Sequence, residues 1–166
     1  MFHVEPWSKS WLILVIVPFL FYSCGPSRST MQISDYILQP NGKEIVGNKG
    51  LSAFIFENKR TKISLEQFLS TKFKTDNYGE HEFWVTIQKD KYKIIIYDED
   101  EFEKYFNSAN YTVMNVVSDD SKQGDHPKFI AISMINAYNE DCLANDSLFQ
   151  SVAVNYFKKL KDEYLY

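Results

Sequence analysis

The chain has 166 residues, with 18 Lys and Arg against 22 Asp and Glu and a formal net charge of −4. That length suits one domain, the 45% apolar content fills one core, and the acidic balance argues against nucleic acid as a partner, because phosphate binding needs surplus positive charge. Only Arg28 and Arg60 can form bidentate clamps on phosphate or carboxylate, and two Cys exclude a disulfide-rich scaffold or a multi-Cys zinc site.

The first element is a leader. Residues 1–23 have the layout of an export signal, with Lys9 and the amino terminus supplying positive charge ahead of an apolar run from Trp11 to Tyr22. As a helix that run rises about 18 Å, short of the roughly 30 Å of a bilayer's hydrocarbon core, and Pro18 would kink it. An export leader therefore fits better than a spanning anchor. The sequence Phe21-Tyr22-Ser23-Cys24 resembles the lipobox of bacterial lipoproteins, which ends in a small residue followed by Cys. The abundance of Lys, Ile, Asn, Tyr and Phe is similar to lipoproteins of the Bacteroidota. This resemblance implies cleavage before Cys24, a diacylglyceryl group on its thiol and a fatty acyl chain such as palmitate on the new amino terminus. A membrane would then hold the protein through acyl chains on Cys24, and Gly25 in the next position implies the outer membrane of a bacterial envelope. Cys142 is then the one remaining thiol, which reads as a small buried hydrophobe.

Residues 24–32 read as the lipidated Cys and a short polar tether, and residues 33–166 as a single domain. Tyr36-Ile37-Leu38 and a segment from Leu51 to Phe56 read as strands, joined by turns at Pro40-Asn41-Gly42 and Gly47-Asn48-Lys49-Gly50. A helix follows, capped by Ser64 with Gln67 in capping-box spacing, its apolar stripe formed by Leu65, Phe68, Leu69 and Phe73. Phe83, Val85 and Ile87 alternate with Trp84 and Thr86, then Lys89-Asp90-Lys91 is expected to turn into a strand from Tyr92 to Tyr97. Ile94, Ile95 and Ile96 make that strand apolar on both sides, which predicts cover on its second face. Asp98-Glu99-Asp100-Glu101 opens a second helix, with acid where the helix dipole favours it. Segments 111–117 and 129–135 are expected to form a third strand pair, and a last helix is expected to begin at Ser147, with Gln150 completing a second capping box. The expected fold is α+β, a mostly antiparallel sheet with helices on one face and β-β-α order repeated three times.

Residues of catalytic type have mostly structural readings. Past the leader only His81 and His126 remain, and His126 with Asp119, Asp120 and Asp125 sits on a polar loop whose spacing matches neither an EF-hand nor a zinc motif. No phosphate loop, nucleophile elbow or His-Glu-x-x-His appears, so no catalytic residue, metal or cofactor is assigned. The acidic run ending at Glu103 reads as a helix start, and Asp146-Ser147-Leu148 resembles the O-glycosylation sequon of exported Bacteroidota proteins. Aromatics are the real excess. Tyr36, Tyr78, Tyr92 and Tyr111 are candidates for a binding surface, because Tyr offers area with a polar tip at little entropic cost.

The sequence thus points to a lipid-anchored, non-enzymatic envelope module that binds a ligand or protein partner. Immunity to a secreted basic toxin is one specific form, and an envelope hydrolase is the alternative class. The interaction residues this reading selects are Asp98, Asp100, Asp119, Asp120, Asp125, Tyr92 and Tyr111.

Overall fold

The computed structural model describes residues 30–45, 49–59, 62–113 and 128–166. Its strands are β1 (Met31–Ile33), β2 (Ile37–Gln39), β3 (Ala53–Glu57), β4 (Glu82–Ile87), β5 (Asp90–Ile96), β6 (Tyr111–Val113) and β7 (Phe129–Asn136). The α-helices are α1 (Leu65–Phe73), α2 (Glu99–Tyr105) and α3 (Gln150–Leu165). Five strands form an antiparallel sheet in the order β2-β3-β7-β5-β4, while β1 and β6 form a separate parallel pair. Among the described residues no helix is long and apolar enough to cross a membrane.

Side-chain period explains the layers. On one face of the sheet Phe54, Phe56, Ile94, Ile96, Ile132 and Met134 pack against Leu65 and Leu69 of α1 and Ala153, Phe157 and Leu160 of α3. On the other face Ala53, Ile55, Phe129 and Ala131 lie under Phe102 of α2, under Phe106 that caps it, and under Ile33, Tyr111 and Val113 of the parallel pair. Helices therefore cover both faces, not one. The physical reason is β7, whose eight residues are all buried and need cover above and below. Ile95 is buried with Leu51 and Ile135, as the apolar run through β5 requires.

The helix starts follow their caps. Ser64 Oγ accepts the Gln67 N–H at 3.3 Å, and Asp98 Oδ1 accepts the Glu101 N–H at 2.8 Å. The last helix begins three residues later than Ser147. Ser147 Oγ instead accepts the Phe149 N–H, and the Gln150 side chain donates to Leu143 O, so both groups of the expected capping box serve the preceding turns.

Three further expectations are corrected by pairing. Tyr111–Val113 pairs with Met31–Ile33, residues 114–117 of that expected strand lie outside the described residues, and among the described residues β6 and β7 make no hairpin, so only the first two strand pairs of the expected repeat are seen as hairpins. That same pairing takes Met31 and Gln32 out of the tether and into β1. The hairpin turn consists of Gln88 and Lys89, and Asp90 and Lys91 already belong to β5, because the register Val85↔Tyr92 and Phe83↔Ile94 keeps the apolar residues on one face.

Both residues of that two-residue connection have positive φ, 51° at Gln88 and 84° at Lys89, the pattern of a type I′ turn. Asn-Gly adopts this conformation with far less strain. Replacing Gln88-Lys89 by Asn-Gly should stabilise the fold by about 1 kcal/mol, read as a higher urea midpoint at unchanged slope.

Candidate functional site

An open groove of about 580 Å³ lies where β7 ends and β3 begins. Its floor is Leu51, which packs with Ile45, Ile95 and Ile135. Ala144, Leu148 and Phe149 form one wall, Asn139, Glu140 and Asp141 another, and Lys49 and Asp146 add charge. Leu148 is 93% exposed, the most exposed apolar side chain of the lining.

Local chemistry builds these walls. At the end of β7, Asn136 Oδ1 accepts the N–H groups of Tyr138 (2.9 Å) and Glu140 (3.0 Å), and Asn139 takes φ 62°. The chain reverses there, and Cys142 N–H donates to Met134 O at 2.9 Å. Asp141 then spends both carboxylate oxygens on backbone donors, Oδ2 on Ser52 N–H at 2.7 Å and Oδ1 on Leu143 N–H at 2.8 Å. Beneath the floor runs a buried hydroxyl chain. Ser133 Oγ–H donates to Ser52 O (2.7 Å), Tyr97 O–H donates to Ser133 Oγ (3.0 Å), and Lys43 N–H donates to Tyr97 Oη (3.0 Å).

These commitments define what the groove offers. Asp141 is held by two N–H groups, Ser147 Oγ accepts another, and Cys142 is fully buried with its thiol pushed up to about 12, chiefly by desolvation. What remains at the surface is a mixed lining, apolar at Leu148 and Phe149 and polar at Lys49, Asn139, Glu140 and Asp146, which can hold a partly apolar ligand.

The residues selected from sequence do not assemble into this site. Asp98 is the cap of α2, Asp100 is exposed on its first turn, Glu101 is paired with Lys43, and Glu103 accepts the Ser108 N–H. Tyr92 and Tyr111 are core residues, 3% and 6% exposed, which corrects their selection as a binding surface. Tyr92 meets Phe149 edge-on, and Tyr111 meets Phe102 and Phe129. Tyr36 stacks on Phe54, while Tyr78 is exposed. Asp119, Asp120, Asp125, His126 and Cys24 lie outside the described residues. Among the described residues no group of three His, Cys, Asp or Glu could hold a metal ion. The residues that shape the groove, Asn136 and Asp141 above all, carry no local signature. Ser52 and Asp141 are 89 positions apart, so only the fold reveals their contact.

The groove opens away from the chain's entry. β1 pairs with β6 beside Phe129, at the start of β7, and Asp35 forms an ion pair with Lys161 near the end of α3. Phe149 and Asn136 lie toward the opposite ends of those elements, about 18–24 Å away along a helix or strand.

Asp141→Ala strands two backbone donors and should cost about 2–3 kcal/mol, read by urea denaturation. Stability should also fall from about pH 9 to about pH 12. Burial raises Cys142 from 9.0 to about 12 and Tyr111 from 10.0 to about 12, so the unfolded chain loses these protons first and gains on the folded one. The double variant Cys142→Ala/Tyr111→Phe should flatten that decline in urea midpoints measured across the range.

The chain matches no protein-family model, no curated protein and no solved structure.

Proposed function

We propose that this protein is a lipid-anchored binding module of a bacterial cell envelope, tethered through acyl chains on Cys24 and holding a partly apolar ligand in the groove around Leu51 and Leu148. One observation carries this reading: β1 lies toward the Phe129 end of β7 and the groove lies at its Asn136 end. A short tether before β1 then turns the groove away from the membrane surface, toward molecules in the surrounding space. The leader and the Ser23-Cys24 junction support the anchor. The committed state of Asp141, Ser147 and Cys142 supports binding over turnover. The sheet fits a rigid scaffold for such a groove, since the groove floor is continuous with its core.

Two measurements test the two halves separately. With a labelled fatty acid supplied to growing cells, Cys24→Ser should abolish labelling and release the domain into the soluble fraction. Persistent label in that variant removes the anchor from the proposal. For the groove, Nile red serves as a neutral apolar probe. Leu148→Asp should lower saturable dye fluorescence several-fold while shifting stability by less than about 0.5 kcal/mol, because the side chain is exposed. Dye binding unchanged by that substitution would place the ligand elsewhere.

A further inference from the structure

We propose that the outer edge of β4 is an interface at which two copies of this chain pair antiparallel, joining their five-stranded sheets into one. β4 ends the sheet order, six residues long and unbroken in its register with β5. Ile96 N–H donates to His81 O, and in an antiparallel ladder this direction repeats at every second residue. The backbone groups of Phe83, Val85 and Ile87 thus point toward β5, and those of Glu82, Trp84 and Thr86 point outward.

Edge strands of stable monomers are kept short, bulged, or broken by Pro or by inward-pointing charge. The opposite edge obeys this rule, since β2 has three residues. β4 carries one charge, Glu82, which is paired with Lys93, but it is twice as long as β2, has no Pro and no bulge, and Trp84, 56% exposed, stands at its middle.

The strand's own sequence selects a second copy as the occupant. With the two-fold axis at Trp84, Glu82 lies opposite Thr86 of the other copy, Phe83 opposite Val85, and Trp84 opposite Trp84. The three outward-facing residues of each strand then exchange roughly six backbone hydrogen bonds. Charge agrees along each row: Glu82 meets the neighbouring Thr86, and beyond it Lys91, which pairs with Thr86 on β5. No like charges stand opposite one another. On the covered face Phe83 and Val85 extend both cores, and on the other face the two indoles meet, each already under its own Lys93 at 5.1 Å.

The test uses the full chain carrying Cys24→Ser, so that acyl chains contribute nothing to association. Sedimentation should show a concentration-dependent dimer. The double variant Glu82→Cys/Thr86→Cys should cross-link under mild oxidation. Either single variant should cross-link several-fold less, because like positions stand about 13 Å out of register. Thr86→Pro removes one outward N–H without touching the β4–β5 ladder and should weaken the dimer at least tenfold. If that variant does not fold, Trp84→Lys supplies the same test by opposing two ammonium groups. A monomer at every concentration up to about 100 μM overturns the proposal. So does a dimer indifferent to these substitutions, or equal cross-linking by the single and double variants.

Discussion

Burial of β7 on both faces is the constraint from which the rest of the architecture follows. A strand with eight buried residues cannot sit against water on either side. Each large apolar side chain in it contributes about 1.5–3 kcal/mol only if something covers it. One face is met by α1 and α3, long enough to lie across several strands. The other is met by smaller parts: a seven-residue helix, two three-residue strands and the connection between β2 and β3. This second cover explains why β6 abandons the hairpin its sequence position suggests. Tyr111 and Val113 bury more beside Phe129, Phe102 and Ile33 than they could at a solvated edge.

A buried strand also inherits a polar problem. Ser133 sits in the middle of β7, fully buried, and an unmet hydroxyl there would cost about 1–3 kcal/mol. The chain from Lys43 N–H through Tyr97 and Ser133 to Ser52 O resolves it, and it does so with the connection that covers that face. Closing this connection demands close approach of backbone. A Cβ on Gly42 would lie 2.4 Å from Tyr97 Oη and 2.8 Å from Leu51 O, and one on Gly50 would lie 2.7 Å from Gly42 O. The clustering of glycine in this stretch of sequence is the mark of that contact.

Residues 65–73, 82–96 and 99–105 are legible in the sequence because their determinants are local: a cap hydroxyl, period-two alternation, acid in a first turn. Partner choice is not local, and there the reading fails. Alternation says which residues share a face but not which strand lies alongside, so β6 was assigned the wrong neighbour. Tyrosine hides its own placement, since an amphipathic ring suits a core with an outlet for its hydroxyl as well as it suits a surface. Tyr92 and Tyr111 took the first course. In the groove, sequence marks the turn at Lys49 and Gly50 and the run Asp146-Ser147-Leu148, each for a local role unrelated to its neighbours across the groove. Asn136 and Asp141 act by gathering backbone N–H groups across a reversal and across 89 positions, and no motif of residue types encodes such a grip.

The second cover is smaller than the sheet it lies on. Five strands span roughly 20–24 Å, whereas α2 is about 10 Å long. Laid over β3 and β7, that cover reaches β5 only through Tyr97 and the contact of Leu51 with Ile95. Among the described residues it stops short of β4, where the exposed Glu82, Trp84 and Thr86 alternate with the buried Phe83 and Val85. At the end of the sheet the same shortfall leaves the β2–β3 connection and the reversal after β7 facing each other across the groove, bridged at its base by Asp141. The outer edge of β4 has a different cause: no further strand follows it in the sheet order, so its outward N–H and C=O groups would stay unpaired however long α2 were.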